Sequence, residues 1–252
     1  MMDKLASHHV RGLAVSDLHL FAHRSAGPEY FESLQSQLAA AGLLVLNGDI
    51  FDFRWSTLPS VEVTAARAVE WLRALHAAHP ACEIHYVLGN HDCPAFFSER
   101  LDALAQQLDR FHWHEFGVRL GTALFVHGDC THGRMDPAGL QRFREDWDND
   151  RRHGRWMTRA YLAVDRLGLT RAAHQYYFPR RTTVERAMHY LDHACPQWRT
   201  NTRDCYFGHT HQPFSAYRHG DVHFHNTGSA IRGMGFNPLA FHVPGATAES
   251  LN

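Results

Sequence analysis

The sequence predicts a layered α/β domain built around a mixed sheet. In the first half of the chain, short apolar runs alternate with segments whose apolar positions recur at helical spacing, which is typical of strand–helix–strand units. In the second half, two hairpins that turn at Gly121 and near Gly220 add antiparallel strands. With 252 residues, 44% of them hydrophobic, the chain can form one domain with an ample core. We expect this domain to span residues 1–252, with a helical cap inserted at residues 134–200.

The predicted elements follow one another in a regular order. Strands are expected at residues 12–16, 43–47 and 84–88, and helices at residues 29–41, 61–78 and 95–108. Two hairpins are expected at residues 118–127 and 214–226. Within the cap, helical spacing groups Met157, Ala160, Tyr161 and Val164 on one face, and Val184, Ala187, Met188 and Leu191 on another. Residues 245–252 are predicted to form a loose tail.

The composition excludes several classes of protein. The chain contains no apolar run of about 18 residues, so we expect no membrane-spanning helix. The first ten residues lack the apolar stretch of a secretory signal. The five cysteines are odd in number and form no C-x-x-C pair, which indicates reduced thiols. We therefore expect a cytoplasmic protein, which its cap could hold beside the inner membrane.

The charge is unevenly distributed, although the chain carries a net charge of −1. Residues 134–200 carry 13 arginines against 8 acidic residues, a local balance of +5, so the remainder carries −6. The cap is interpreted either as a solvated helical surface or as a basic rim for a phosphate-bearing ligand, since guanidinium groups suit phosphate oxygens. The acidic remainder offers no track for a nucleic-acid duplex, so no nucleic-acid partner is expected.

Polar side chains follow five of the strands, at the point where each strand ends. The motifs are D-L-H at residues 17–19, G-D-I-F-D at 48–52, G-N-H-D at 89–92, H-G-D at 127–129 and G-H-T-H at 208–211. Each motif alone is compatible with a turn or a helix cap. Ligands of open α/β sheets, however, bind at the carboxyl edge of the strands. Five loops that deliver carboxylate, amide and imidazole groups to one edge therefore indicate a metal centre.

The order of these motifs resembles that of the calcineurin-like metallophosphoesterases, over most of the chain. The resemblance implies a four-layered α/β/β/α sandwich with two metal ions at the carboxyl ends of its strands. It also implies that one ion is held by Asp17, His19 and His211 and the second by Asn90, His127 and His209, with Asp49 bridging both. Since alternate side chains of an extended backbone point the same way, we expect His209 and His211 to serve adjacent ions.

The expected ligand set defines the chemistry. Nitrogen and oxygen ligands without a thiolate suit Mn, Fe, Co or Zn rather than a structural zinc, and we favour Mn²⁺. Two ions about 3.5–4 Å apart can share a hydroxide that attacks phosphorus in line while the ions neutralise the developing charge. The sequence therefore predicts a two-metal hydrolase of phosphoric ester or pyrophosphate bonds.

Four further residues have predicted roles around the ions. The resemblance implies that His91 lies beside the substrate and that Asp92 holds it, which would keep the imidazole cationic. His91 would then stabilise the transition state or protonate the leaving oxygen. A solvated loop histidine is the alternative interpretation. Asp129 is predicted to orient a ligand histidine, and Asp52 to play a similar part.

The position and composition of the cap indicate a class of substrate. Its position is similar to that in UDP-2,3-diacylglucosamine hydrolases, which cleave the pyrophosphate of a lipid-linked UDP-sugar in lipid A synthesis. Those enzymes typically carry arginine where this chain has His91. Aromatic residues of the cap, among them Trp147 and Phe178, could hold acyl chains while arginines bind phosphates, or could simply attach the helices to the sandwich. The candidate substrate-binding residues are Arg151, Arg152, Arg155, Tyr177, Arg180 and Arg181.

Two alternatives remain open at this point. The first is a phosphoesterase that acts on nucleotides, other phosphodiesters or phosphomonoesters. The second is a non-catalytic scaffold that has kept the fold and lost its metals, although every expected ligand position is filled.

Overall fold

The computed structural model describes residues 9–149, 174–244 and 248–251. The strands are β1 (His9–Val15), β2 (Leu43–Asn47), β3 (Glu83–Val87), β4 (Phe111–His114), β5 (Gly117–Leu120), β6 (Ala123–Val126), β7 (Asp204–Phe207), β8 (Phe214–His219), β9 (Val222–Asn226), β10 (Leu239–Pro244) and β11 (Ala248–Leu251). The helices are α1 (Gly27–Ser33), α2 (Gln35–Ala39), α3 (Val61–Ala78), α4 (Ala95–Ala105), α5 (Pro137–Asn149), α6 (Arg180–Ala194) and α7 (Trp198–Asn201).

The strands form two sheets. The first has the order β10-β1-β2-β3-β4, in which β1 to β4 are parallel and β10 is antiparallel to β1. The second has the order β11-β5-β6-β7-β9-β8, with β6, β7 and β9 parallel and the other pairs antiparallel. Both sheets are therefore mixed in direction: the first has one antiparallel strand at an edge, and the second has antiparallel strands on both sides of its parallel centre.

Alternation along the strands separates four layers. In β2, Leu44 and Leu46 join the apolar cluster that contains residues of α3 and α4, whereas Leu43 and Val45 face the second sheet. In β7, Phe207 joins the cluster that contains residues of α6, and Tyr206 belongs to the layer between the sheets. Successive side chains of a strand point to opposite faces. The structure thus confirms the α/β/β/α sandwich.

Several predicted elements are confirmed, and others need correction. The strands at 12–16, 43–47 and 84–88 and the helix at 61–78 are present within a few residues. The helix expected at 29–41 is divided at Leu34 into α1 and α2. The prediction of a loose tail is wrong, since β11 pairs with β5 and buries Leu251. Ser250 also lies 2.6 Å from Nδ1 of His114, so this strand joins the edges of the two sheets.

The cap is helical where it is described. Helices α5 and α6 lie within residues 134–200, and residues 174–177 are also helical. Arg151, Arg152 and Arg155 lie outside the described residues, as does the helical face predicted at 157–164. In the described part of the chain, no helix is both long and apolar enough to cross a membrane.

Candidate metal centre

The carboxyl ends of five strands meet at one edge of the sandwich. Strands β1, β2 and β3 of the first sheet and β6 and β7 of the second are followed by the five polar motifs. The loops bring together two groups of potential metal ligands, in each of which the donor atoms lie within 4.8 Å of one another, and a further group of His19, Asp52 and His91 shares His19 with the first. The first group is Asp17, His19 and His211, and the second is Asp49, His127 and His209.

The first group is centred on the carboxylate of Asp17. Its Oδ1 lies 3.2 Å from Nε2 of His211 and 3.8 Å from Nε2 of His19. The backbone N–H of His209 donates to the same carboxylate. Burial alone would raise the pKa of Asp17, but His211 holds it below its usual value. The carboxylate is therefore ionised and can serve as a cation ligand.

The second group surrounds Asp49. The Oδ2 atom of Asp49 lies 3.2 Å from Nε2 of His127 and 3.9 Å from Nε2 of His19, so this carboxylate contacts both groups. Burial would raise the pKa of Asp49, but His127 and His91 hold it well below its usual range. Asp49 thus lies between the two groups, and the bridging role that the resemblance implies for it stays a prediction.

Unsatisfied polar atoms in this centre suit a cation. Oδ1 of Asn90, Nε2 of His127 and Nε2 of His209 are buried, and none of them has a hydrogen-bond partner among the described residues. Nδ1 of His127 lies 3.0 Å from the carbonyl oxygen of Asn47 and donates to it, so Nε2 is the nitrogen that faces the centre. Burial lowers the pKa of His209 well below its ordinary value and keeps the ring neutral. These three atoms therefore have the burial and the orientation that a metal ligand needs.

The ligand loops have an unusual backbone. Five of the predicted ligands have φ angles between 46° and 61°, namely Asp17, His19, Asp49, His209 and His211. Side chains other than glycine rarely adopt this left-handed region, and residues that do so cluster at functional sites. The expectation of an extended G-H-T-H segment is therefore wrong. Each histidine is aimed by a left-handed turn, and their side chains reach different groups for that reason.

Two glycines allow the loops to approach one another. A Cβ on Gly89 would lie too close to the carboxylate of Asp49, and a Cβ on Gly208 would collide with that of Asp17. These glycines of the G-N-H-D and G-H-T-H motifs therefore leave space for the carboxylates, in addition to forming turns.

His91 is held by a carboxylate other than the one expected. Its Nδ1 lies 3.2 Å from Oδ1 of Asp52, and Asp92 instead accepts hydrogen bonds from the Tyr86 hydroxyl and from backbone N–H groups including that of Gly89. Burial opposes the charged ring, but Asp52 and Asp49 raise the pKa of His91 to about 9. The role predicted for Asp92 therefore passes to Asp52, and Asp92 shapes the loop.

Asp129 also has a different partner from the one expected. Nε of Arg144, in α5, donates to Oδ2 of Asp129 at 2.7 Å, and both side chains are buried. The guanidinium also donates to the carbonyl oxygens of Leu88 and Glu115. The Asn47 carbonyl orients His127, and the hydrogen bonds that Asp129 accepts among the described residues come from Arg144 and the N–H of Cys130. The pair of Asp129 and Arg144 fastens the cap to the loops that follow β6 and β3.

A cavity of about 470 Å³ lies over this centre. Its floor includes His19, Asp49, Asn90, His91, His209 and His211. Of the predicted substrate residues, Tyr177 lines the cavity, and so do Trp147 and Phe178 of the cap.

The described cap arginines lie elsewhere. Arg180 stacks on Phe214 with its guanidinium carbon 4.8 Å from the ring centroid, and exposed Arg181 pairs with Glu185. The structure does not bring either arginine into the cavity wall. A basic residue in this cap is therefore not by itself a sign of substrate contact.

Several other residues of the cavity wall were not predicted by the sequence patterns. Arg24, Arg54, Trp55, His132, His174 and Ile231 contribute to it. Four of them, Arg24, Arg54, Trp55 and His132, lie in irregular loops near the motifs. Such loops have no periodic pattern that would indicate which side chains point inward. Their signal was proximity in sequence to the polar motifs.

No curated protein matches this chain. Among solved structures, a phosphopantetheinyl hydrolase of Mycobacterium tuberculosis is 15% identical, covering 87% of this chain and 89% of that one, with a TM-score of 0.44. A dimetal phosphatase of Danio rerio is 11% identical, covering 96% and 99%, with a TM-score of 0.49. Vps29 of Chaetomium thermophilum is 11% identical, covering 96% and 98%, with a TM-score of 0.34.

The family assignment comes from a different comparison. The model of the calcineurin-like phosphoesterases matches residues 10–213, which include all five motifs and both groups of potential ligands. The chain belongs to the calcineurin-like phosphoesterase family and is a metal-dependent hydrolase.

Proposed function

We propose that the chain hydrolyses phosphoric ester or pyrophosphate bonds with two divalent ions bound at this centre. One ion is assigned to Asp17, His19 and His211 and the other to Asn90, His127 and His209, with Asp49 as the ligand common to both. The buried, unsatisfied oxygen and nitrogen atoms around Asp49 carry this proposal, because such atoms are costly to bury without a partner. Mn²⁺ is the proposed metal, and Fe, Zn and Co are the alternatives.

The protein holds its ligands in fixed orientations. Two bound ions supply charge neutralisation at phosphorus and a water that is easily deprotonated. The carbonyl of Asn47 accepts the Nδ1 proton of His127, and Asp52 lies 3.2 Å from Nδ1 of His19. Both imidazoles thereby present Nε2 to the centre, which is how partners behind a ligand set its tautomer.

His91 is proposed as the acid that meets the leaving oxygen. With Nδ1 beside Asp52, its other nitrogen, Nε2, is left for the substrate, and the ring lines the cavity. The pKa of about 9 keeps the ring protonated at neutral pH. His91 can therefore donate a proton to the leaving oxygen or a charge-assisted hydrogen bond to the phosphoryl group.

The residues that line the cavity favour a particular class of substrate. Trp55, Trp147, Tyr177 and Phe178 give it a largely aromatic lining beside the proposed ions, which suits a phosphoester with a bulky apolar or aromatic substituent. UDP-2,3-diacylglucosamine is the substrate proposed first, with cleavage of its pyrophosphate. His91, where the hydrolases of that lipid typically carry arginine, makes nucleotides and simple phosphodiesters the necessary comparison.

The test compares these substrates directly. Protein loaded with Mn²⁺ is assayed on UDP-2,3-diacylglucosamine and on bis(p-nitrophenyl) phosphate, with the Asp49→Ala variant as the blank. Preference for the lipid supports the lipid assignment, whereas activity on the simple diester alone keeps the two-metal function and rejects the lipid. A protein that binds no divalent metal and hydrolyses neither compound would be a non-catalytic scaffold.

A further inference from the structure

One glutamine next to the G-H-T-H motif holds part of the cap in place. Gln212 directly follows the motif, and its Nε2 donates to the carbonyl oxygen of His174 at 2.7 Å and to that of Phe178 at 3.1 Å. The N–H of Phe178 also donates to the carbonyl oxygen of His174, so residues 174–178 form one helical turn, called the cap turn below. A side-chain amide has two protons to donate, and both acceptors lie on this turn. Gln212 therefore ties both ends of the cap turn to the ligand loop.

Two side chains of the cap turn pack on the proposed metal ligands. The ring of His174 stacks on that of His211, with centroids 4.8 Å apart and an interplanar angle of 10°. The ring of Phe178 meets that of His209 edge to face at 5.7 Å. Positions four residues apart lie on the same face of a helix, so one face of the cap turn covers both histidines of the motif. The ligand loop and the cap turn therefore form one packed unit.

The cap turn also forms part of the cavity wall. His174, Tyr177 and Phe178 line the cavity, whereas Gln212 is not one of the lining residues. Phe178 is buried, but Tyr177 is 63% exposed although it borders the cavity, and the two rings lie 6.4 Å apart. An exposed aromatic ring offers a face or an edge to a second ring, and such pairs are favourable beyond the area that they bury. Tyr177 is therefore available to a group of the substrate, and Phe178 supports it from below.

We propose that Tyr177 binds an aromatic substituent of the substrate and that Gln212 is the positioning residue for this contact. The inference rests on the proposed function, because the phosphoryl group must lie at the ions for its substituent to reach the cap turn. Gln212 acts through the backbone of the cap turn and does not touch the substrate. Without its two hydrogen bonds, the turn is no longer held at a fixed distance from the ligand loop, and the ring of Tyr177 loses its place over the centre.

The test measures binding and needs no hydrolysis. Phenylphosphonate, cyclohexylphosphonate and methylphosphonate share one phosphonate group and differ in a single substituent. Their Kd values for protein loaded with Mn²⁺ are measured by titration calorimetry. The aromatic preference is the Kd for methylphosphonate divided by the Kd for phenylphosphonate. A change at the ions affects both compounds alike and cancels in this ratio.

Loss of either residue should lower the aromatic preference. Tyr177→Ala removes the ring and should lower it about 3- to 10-fold. Gln212→Met keeps the length of the side chain but removes both donated hydrogen bonds, and it should lower the preference by a similar factor, about 3- to 10-fold. Two matched controls should leave it within about twofold. They are Tyr176→Ala, a neighbouring tyrosine that is exposed and does not line the cavity, and Gln197→Met, an exposed glutamine.

The double variant separates positioning from an independent contact. If Gln212 acts through Tyr177, the variant with both Gln212→Met and Tyr177→Ala should match Tyr177→Ala alone within about twofold. Independent roles would multiply the two losses and would overturn Gln212 as a positioning residue. Hydrogen exchange gives a second readout, because the amides of residues 174–178 should exchange faster in Gln212→Met than in Gln197→Met.

Each remaining outcome decides one part of the proposal. Equal affinity of the wild-type protein for phenylphosphonate and methylphosphonate overturns the contact with Tyr177, while the proposed function stands. Cyclohexylphosphonate has the apolar area of phenylphosphonate without its aromatic face, so equal or tighter binding of the cyclohexyl compound overturns the aromatic class. Wild-type preference in Gln212→Met overturns the positioning role. A protein that binds no Mn²⁺ overturns the proposed function, and the contact with it.

Discussion

Nδ1 of His91 lies 3.2 Å from Oδ1 of Asp52, while Oδ2 of the same carboxylate lies 3.2 Å from Nδ1 of His19. One buried carboxylate thus orients both a proposed metal ligand and the proposed acid. Burial would raise the pKa of Asp52, but His91 and His19 hold it well below its usual range, so the carboxylate stays ionised. This arrangement separates what substitutions at His91 and at Asp52 should do.

Replacement of His91 should affect chemistry and leave the ions in place. No ligand is assigned to its side chain, so His91→Ala should keep the wild-type metal content and lose about 10²–10⁴ in kcat. Metal content is measured by elemental analysis, and kcat on bis(p-nitrophenyl) phosphate. A variant that loses its ions would show that His91 is a ligand and not the acid.

Replacement of Asp52 should affect both metal binding and the chemical step. Asp52→Asn keeps the size of the side chain but removes the charge that orients His19, so metal affinity should fall about 10- to 100-fold. The kcat measured at saturating metal should also fall, because His91 loses its carboxylate partner. Asp221→Asn, a fully exposed aspartate, is the matched control. Wild-type affinity in Asp52→Asn would contradict the shared role.

Replacement of Asp49 should empty at least one of the two sites. This carboxylate contacts Nε2 atoms from both groups of potential ligands, and Asp49→Ala leaves His127 and His209 without an anionic neighbour in their group. We expect fewer than two ions per chain and no measurable hydrolysis, with metal titration calorimetry as the measurement. A fully loaded, active Asp49→Ala protein would reject the assigned bridge.

The sequence predicted which residues gather at the sheet edge better than it predicted the side chains that support them. The ligand residues follow strands, so local patterns place them at one sheet edge. The partner of His91 is not local. Asp92 is its neighbour in sequence but turns towards Tyr86 and the backbone of Gly89, whereas Asp52 arrives from another loop. Sequence spacing contains no information about which carboxylate two loops bring together.

The missed parts of the fold have a similar origin. Strand β11 has four residues, and its pairing depends on the free edge that β5 offers, not on a pattern of its own. Arg54 occupies an irregular loop, and its guanidinium lies over the ring of Trp147 in α5, about 90 residues later in the chain. Such contacts become visible only when the tertiary structure is known.

The buried ion pair of Arg144 and Asp129, which joins the cap to the sandwich, should be important for stability. Arg144→Met would leave the buried carboxylate of Asp129 without its cation, and removal of one member of a buried ion pair costs about 3–5 kcal/mol. Burial would raise the pKa of Asp129, but Arg144 keeps it below its usual value. Without Arg144 the carboxylate is therefore either buried with its charge uncompensated or forced to take up a proton, and both reduce stability.

The control for this pair is the double variant. Urea unfolding of metal-loaded protein should show the loss in Arg144→Met and recovery of most of it in Asp129→Asn with Arg144→Met, because no lone charge is then buried. A loss below about 1 kcal/mol in the single variant would mean that Asp129 is solvated or has another partner.

A row of histidines away from the centre should make stability depend on pH. Nδ1 of His85 lies 3.1 Å from Nε2 of His114, and both rings are buried. Burial, with His112 nearby, lowers the pKa of His85 to about 4, and burial with His85 nearby lowers that of His114 to about 3. In the unfolded chain both titrate near about 6.5. Between pH 6.5 and 4 the unfolded state therefore binds more protons than the folded one.

The contribution of these two histidines to the free energy of unfolding should therefore be constant above pH 6.5. As the pH drops towards 4, the free energy of unfolding should fall by about 1.4 kcal/mol per pH unit for each histidine. In His85→Gln the slope between pH 6 and 4.5 should be smaller by about one histidine's share, whereas His242→Gln, at an exposed position of β10, should keep the wild-type slope. Urea unfolding at a series of pH values measures both slopes. Equal slopes in wild type and His85→Gln would show that His85 can be protonated in the folded protein, because a ring that titrates alike in both states contributes nothing to the pH dependence.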